Sequence, residues 1–180
     1  MHYLIIDLEA TCCDRNSFPR HQMEIIEIGA VMADADGEPV SDFQTFIRPV
    51  RHPQLTRFCR DLTSITQAQV DAAPTFPEAA RALREWANQW PDHEFCSWGA
   101  YDRKQLRQDA DYHGVSMPVF ATHRNLKEAF STKLGVKKRF GMNQALDKLG
   151  LSLEGVHHRG IDDARNITRI LRYIETGVAR

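Results

Sequence analysis

The 180-residue chain lacks a long hydrophobic run and has almost no net charge. A membrane-spanning helix needs about 20 consecutive apolar residues, and no stretch of the sequence approaches that length. The formal net charge of −1 excludes a strong overall attraction to nucleic acid, so any basic surface must be local. With 42% hydrophobic and 26% charged residues, the composition is that of a soluble globular protein with no membrane partner.

Cysteine is scarce, and its spacing forms no framework. Cys12 and Cys13 are adjacent, Cys59 and Cys96 stand alone, and there is no CxxC pair. Structural zinc sites and disulfide-rich domains depend on such spacing, so both are disfavoured. The chain enters its first apolar segment at Tyr3, which leaves no room for a signal peptide. We therefore expect reduced thiols and a cytoplasmic location.

Repeats, low-complexity tracts and linkers are also missing, so we expect one domain over residues 1–180. Hydrophobic periodicity predicts three strands joined by short turns, followed by alternating helices and strands. The predicted strands are residues 3–9, 24–32, 43–47 and 93–98, and the predicted helices are residues 75–90, 102–111, 125–130, 142–149 and 161–175. This pattern indicates an α/β or α+β domain with a mixed central sheet. Gly29, inside the second strand, indicates a bulge or a close backbone approach.

Two carboxylates end the first predicted strand. Asp7 and Glu9 are separated by one residue, so their side chains point to the same face. Like charges in a partly dry site are costly unless a cation lies between them, and hard oxygen ligands suit Mg²⁺ or Mn²⁺. The alternative is an ordinary strand end at which solvated acids begin the loop of residues 10–19.

Asp102 follows the fourth predicted strand after a short turn. If the first and fourth strands are parallel neighbours, their carboxyl ends share one crevice, where ligands bind in open α/β sheets. Asp102 would then approach Asp7 and Glu9. The alternative is that Asp102 only caps the helix that follows it.

The last predicted helix begins with two adjacent acids that differ in helical phase. Asp163 shares its face with Ile167 and Ile170, which points it toward the core, where a carboxylate needs a partner such as a metal ion. Asp162 shares its face with Asn166, a face predicted to be solvated, so we interpret Asp162 as a structural acid of the first turn.

His158 lies five residues before Asp163 in a segment flanked by glycine. An imidazole beside a metal site can accept a proton from water, which predicts a general base. The alternative is that His157 and His158 are exposed polar residues of a loop.

In order and spacing, these residues resemble the DEDDh 3′–5′ exonucleases of the RNase H-like fold. Four longer segments resemble the histone-mRNA 3′-exonuclease branch, which includes RNA-interference-enhancing nucleases and bacterial relatives called sporulation inhibitors. These segments are residues 6–12, 24–27, 58–67 and 158–167, within a resemblance that spans about residues 3–173. Nothing resembles the separate nucleic-acid-binding domain of animal members, so specificity for a structured RNA is not implied.

The resemblance implies an RNase H-like mixed sheet flanked by helices and a two-metal mechanism. Asp7 would bridge two Mg²⁺ ions, or Mn²⁺, about 4 Å apart. Glu9 and Asp163 would complete one site, and Asp102 would act mostly through water. His158 would be the general base. Nucleoside 5′-monophosphates would leave from the 3′ end.

The resemblance also suggests which residues meet the substrate. Backbone groups of Ala10 and Thr11 would meet the terminal sugar. Tyr101 either stacks on a base or packs in the core. Four basic side chains are either phosphate contacts or solvated charges: Lys127, Lys137, Lys138 and Arg139. We expect RNA as the substrate, with DNA as the alternative. A third possibility is a regulator that binds nucleic acid or protein without turnover.

Overall fold

In the computed structural model, residues 1–14, 17–119 and 122–179 are described. The strands are β1 (His2–Ala10), β2 (Ile25–Ala33), β3 (Pro39–Phe46), β4 (His93–Ser97) and β5 (His123–Asn125). The α-helices are α1 (Arg57–Thr63), α2 (Gln67–Asp71), α3 (Phe76–Ala87), α4 (Tyr101–His113), α5 (Leu126–Lys133), α6 (Met142–Leu149) and α7 (Gly160–Thr176). Arg15 and Asn16, in the loop predicted after β1, lie outside the described residues.

The five strands form one mixed sheet in the order β3-β2-β1-β4-β5. β1 and β3 each pair antiparallel with β2, which confirms the predicted meander. β4 runs parallel to β1, and β5 runs parallel to β4. The parallel pairing of β1 with β4 brings their carboxyl ends to one edge of the sheet, so Glu9 and Asp102 approach each other there.

Alternation along β1 divides the core into two layers. Tyr3 and Ile5 pack with α5, α6 and α7 on one face. Leu4 and Ile6 pack with α3 and α4 on the other face. Because side chains alternate along a strand, the odd-numbered Asp7 continues the series that faces α7. The strand register therefore aims this carboxylate toward the helix that carries Asp163.

A glycine contact sets the distance between β2 and the start of α7. A Cβ atom at Gly29 would collide with the backbone of Gly160. The Glu27 carboxylate accepts hydrogen bonds from the Gly160 N–H and from Nε of Arg159, both at 3.1 Å. Of the two roles predicted for Gly29, the structure shows the close approach. The close approach of Gly29 to Gly160 and the hydrogen bonds of Glu27 together place the first turn of α7 beside the end of β1.

Among the described residues, no helix is both long and apolar enough to cross a lipid bilayer. The four cysteines are thiols, and Cys12 and Cys59 lie next to each other where the end of β1 meets α1. Three short elements, α1, α2 and β5, lie outside the helices and strands predicted from the sequence.

Candidate active site

A cleft of about 370 Å³ opens at the edge of the sheet where β1 and β4 end. It is lined by acids from three elements: Asp7, Glu9, Asp102 and Asp163. One carboxylate oxygen from each of Asp7, Glu9 and Asp163 lies within 4.8 Å of the others. Magnesium holds its oxygen ligands at about 2.1 Å, so opposite ligands lie about 4.2 Å apart. The three oxygens are thus close to the spacing that one ion needs.

Burial and mutual repulsion raise the pKa values of Asp7 and Glu9, so the ionised forms of these two carboxyl groups are disfavoured. Burial, followed by the charges of Asp102 and Asp163, raises the pKa of Asp7 well above its usual value. Burial, followed by Asp163 and Glu27, raises the pKa of Glu9 to about 8. A divalent cation would relieve this repulsion, because an opposite charge at close range favours the ionised form. Spacing, burial and oxygen chemistry therefore fit a hard divalent ion.

Asp102 lies in the first turn of α4 and is almost fully buried. The N-cap of α4 is Ala100, so the alternative of Asp102 as the capping residue is wrong. The Asp102 carboxylate instead accepts a hydrogen bond from the backbone N–H of Leu8 at 3.2 Å, which ties α4 to β1. Burial raises the pKa of Asp102 to about 6, and hydrogen bonds and the charge of Lys127 oppose the rise.

Asp163 is contacted by the two histidines that precede α7. Nδ1 of His157 lies 3.1 Å from both carboxylate oxygens, and the backbone N–H of His158 donates to Oδ2 at 3.0 Å. The two imidazoles stack with their centroids 3.9 Å apart. Burial, with the charge of His157, lowers the pKa of His158. The ring nearest Asp163 is thus that of His157, a contact the sequence did not indicate.

Asp162 lies outside the acidic group, in agreement with its helical phase. Its carboxylate accepts from the backbone N–H of Val156 at 2.9 Å and pairs with Arg165 at 3.4 Å. The face it occupies is less solvated than predicted, because Asn166 is fully buried. Nδ2 of Asn166 donates to the backbone oxygens of Glu154 and Asp162 at 2.7 and 2.8 Å. This network closes the loop that carries the histidines.

The proposed sugar contacts have different surroundings. Ala10 lines the cleft. Thr11 is buried, its N–H donates to the Glu24 carbonyl at 2.8 Å, and its hydroxyl accepts from the Glu24 N–H at 3.0 Å. Both groups therefore join the ends of β1 and β2. Thr11 fixes the backbone beside the cleft, and Ala10 is the residue of this pair that reaches it.

Tyr101 lines the cleft with 46% of its surface exposed, so it is not a core aromatic. Lys127 also lines the cleft. Among the described residues that line the cleft, none is Lys137, Lys138 or Arg139, and these three side chains are exposed to solvent.

One part of the cleft is apolar and was not predicted from the sequence. Leu62 of α1 lines it, although 37% of the side chain is exposed. Phe58, one helical turn earlier, is 40% exposed. Two large apolar residues four positions apart on an exposed helical face are the feature of the sequence that could have predicted this surface. In the cleft itself, Tyr101 offers a ring on which a base can stack, and Leu62 adds apolar surface.

A five-stranded sheet of this order, with carboxylates from β1, α4 and α7 meeting at the strand ends, defines the DEDDh class of RNase H-like exonucleases. The family model described as Exonuclease matches residues 4–171, and the chain belongs to this family. The chain is therefore a 3′–5′ exonuclease.

Named relatives agree with this class. The probable 3′-5′ exonuclease KapD of Bacillus subtilis (strain 168) is 32% identical over 173 residues, which are 96% of this chain and 83% of that protein. The 3′-5′ exoribonuclease 1 of Homo sapiens is 33% identical over 183 residues. The match covers 96% of this chain but 52% of the human protein, so the chain spans about half of that relative.

Solved structures share this fold. The nuclease domain of 3′hExo, a DEDDh family member, bound to rAMP, superposes with a TM-score of 0.88 at 32% identity. The superposition covers 95% of this chain and 90% of that one. An exonuclease I structure at 11% identity shares the fold, with a TM-score of 0.75.

Proposed function

We propose that this exonuclease removes nucleotides one at a time from the 3′ end of single-stranded RNA, with the help of divalent metal ions. The observation that carries the proposal is the convergence of Asp7, Glu9 and Asp163 in a cleft where their ionised forms repel. Relatives named as exoribonucleases support RNA as the substrate.

Asp7, Glu9 and Asp163 would hold Mg²⁺, with Mn²⁺ as the alternative and two ions in all. Bound divalent ions stabilise charge on phosphoryl oxygens and promote ionisation of water. Asp102 would assist through water, with its carboxylate held in place by the Leu8 N–H. Glu27 would act as a positioning residue, because its carboxylate accepts hydrogen bonds from Arg159 and Gly160 at the start of α7.

His158 would accept the proton of the attacking water. The lowered pKa of His158 keeps the imidazole neutral, and therefore able to accept a proton, near neutral pH. The water oxygen forms a new bond to the terminal phosphorus, and the bond from phosphorus to the O3′ of the preceding nucleotide breaks. That O3′ takes up a proton, and the products are a nucleoside 5′-monophosphate and a chain shorter by one.

The terminal nucleotide would be held by surfaces around the acids. Tyr101 would offer a stacking surface for the base, and Leu62 would add an apolar contact. Lys127 would contact phosphate, and backbone groups at Ala10, held by Thr11, would meet the terminal sugar. Lys137, Lys138 and Arg139 would serve only longer strands, because they lie outside the described lining.

The discriminating substrate test uses matched oligomers that differ only at the 2′ position of the last nucleotide. Recognition of RNA requires contact with the 2′-OH, and Ala10 follows directly after Glu9 where the terminal ribose would lie. We expect faster initial rates on the ribose end and slow hydrolysis of duplex DNA. Equal rates for ribose and deoxyribose ends would favour a DNA exonuclease.

A regulator without turnover is disfavoured, because the described residues contain all four acids and both histidines of the cleft. Release of labelled mononucleotides with Mg²⁺, and none after chelation, would exclude a regulator without turnover.

We also propose that residues 1–180 work as one exonuclease domain in the cytoplasm. The single continuous sheet and the reduced thiols support this proposal.

A further inference from the structure

A second set of possible metal ligands lies beside the carboxylates. His157, His158 and Asp163 each offer one ligand atom, and these atoms lie within 4.8 Å of one another. Two imidazoles and one carboxylate are a donor set found in zinc sites that keep a position open for water or another ligand. Asp163 belongs to this set and also to the set it forms with Asp7 and Glu9.

The backbone holds these three side chains together. His158 has a φ of +63°, a left-handed conformation that is uncommon for a residue other than glycine. Its N–H is bound to Asp163, and its ring stacks on His157 with a centroid distance of 3.9 Å. Asp162 closes the same loop by accepting from the Val156 N–H. The two rings lie face to face before any ligand binds, so one ring has to turn about its side-chain torsions to bring both nitrogen lone pairs to a single ion.

Donor chemistry separates the two sets. The three carboxylates of Asp7, Glu9 and Asp163 present only oxygen, which Mg²⁺ prefers. Imidazole nitrogen favours Zn²⁺ and its neighbours in the transition series over Mg²⁺. We propose that His157, His158 and Asp163 form a second binding site, which shares Asp163 with the carboxylate set, for a borderline transition-metal ion, represented by Zn²⁺.

Occupation of this site would inhibit the nuclease, a consequence that rests on the proposed function. A metal ion on the imidazole of His158 occupies the lone pair that would accept the proton from water. The same ion draws on Asp163, which the catalytic ions share. Zn²⁺ is therefore expected to lower turnover reversibly while Mg²⁺ is present, and a chelator selective for Zn²⁺ should restore it.

Binding is tested without activity, by calorimetric titration of ZnCl₂ into the tag-free full chain. The background is Asp7→Asn/Glu9→Gln, which breaks the all-oxygen set. We expect this variant to bind one Zn²⁺ per chain. Adding His157→Ala should weaken the affinity by more than about 100-fold, because loss of an outer partner alone costs about 10- to 100-fold.

Asp162→Asn in the same background is the matched control, since it alters the adjacent carboxylate outside the site. It should leave the affinity for Zn²⁺ within about twofold, and circular dichroism should show that each variant is folded. Absence of Zn²⁺ binding to the background variant would overturn the proposal, and so would equal affinity after His157→Ala. If the chain binds Zn²⁺ in this way but degrades no RNA, the site stands and the proposed function fails.

Discussion

Asp162 and Asp163 are neighbours in the sequence, but their carboxylates make different contacts, so substitutions at the two positions should have different effects. The Asp163 carboxylate faces the cleft acids, whereas the Asp162 carboxylate binds the Val156 N–H and Arg165. Asp163→Asn should lower kcat by more than about 100-fold, the usual cost of losing one preorganised electrostatic group. It should also weaken Mg²⁺ binding measured by calorimetry.

Asp162→Asn is the matched control for that experiment. An asparagine oxygen still accepts the Val156 N–H, so we expect near-normal kcat and a loss of stability below about 1 kcal/mol. The assignment of the two acids is overturned if the Asp162 variant loses activity as strongly as the Asp163 variant.

His158 is expected to act on turnover and little on affinity. His158→Ala should reduce kcat by about 100- to 10,000-fold, the usual range for general-base catalysis, while the Kd for a non-hydrolysable oligomer changes little. The base must be neutral, so activity is full above its pKa and falls as the pH drops through it. Since burial lowers that pKa from 6.5 in the free enzyme, the fall should lie below pH 6.5 in the kcat/KM profile.

Near-normal turnover in the His158→Ala variant would reassign the role of base to His157, whose ring is the closer one to Asp163, or would leave activation of the water to the metal ions alone. His157→Ala, assayed in parallel, separates these outcomes.

At the scale of elements, the docking of α7 against β2 decides where Asp163 lies. Gly29→Ala places a methyl group against the Gly160 backbone, and neither strand nor helix has a flexible side chain there that could yield. Overpacking of this kind costs about 1–3 kcal/mol or more, measured by chemical denaturation. If α7 moves by about 1 Å, kcat should fall about 100-fold. A variant with normal stability and normal kcat would contradict the close packing described for these glycines.

The longer elements were predictable because each has a clear period. β1 is an apolar run of strand length, and α7 repeats isoleucine at helical spacing, so both lie within a residue or two of the predicted bounds. α1 was missed because only Cys59 and Thr63 of its seven residues are buried. β5 was missed because it has three residues, none fully buried, and depends on pairing with β4.

The site was predictable to the extent that order along the chain fixes position. Asp7, Glu9, Asp102 and Asp163 meet because β1 and β4 are parallel and α7 has one apolar face. The contact of His157 with Asp163 and the burial of Asn166 depend on how the loop before α7 closes on itself. Hydrophobic periodicity along the sequence cannot predict how this loop folds back on itself.

At the scale of the whole molecule, the crowded acids link stability to pH and metal. The pKa of Glu9 rises from 4.5 to about 8 on folding, and that of Asp7 rises as well. The folded chain therefore binds more protons than the unfolded chain between these values, so stability falls as the pH rises. Without metal, Tm should drop between pH 5 and pH 8. Mg²⁺ should raise it most at pH 8, because it binds only the folded state.

Glu9→Gln isolates the source of this effect, since it removes one ionisable group from the cleft and keeps the shape of the side chain. The variant should show a smaller drop in Tm between pH 5 and pH 8 and a smaller response to Mg²⁺. A drop equal to that of the unaltered chain would place the pH dependence elsewhere in the protein.

The position of β1 at the centre of the sheet has a consequence during synthesis. Asp7 and Glu9 on β1 are synthesised before their partner Asp163, which lies on α7. At about 5–20 residues per second, the intervening residues take roughly 8–30 s to be made. Until the end of that interval the nascent chain lacks Asp163, the last of the four acids that line the cleft. The cleft is therefore completed only after α7 has been synthesised.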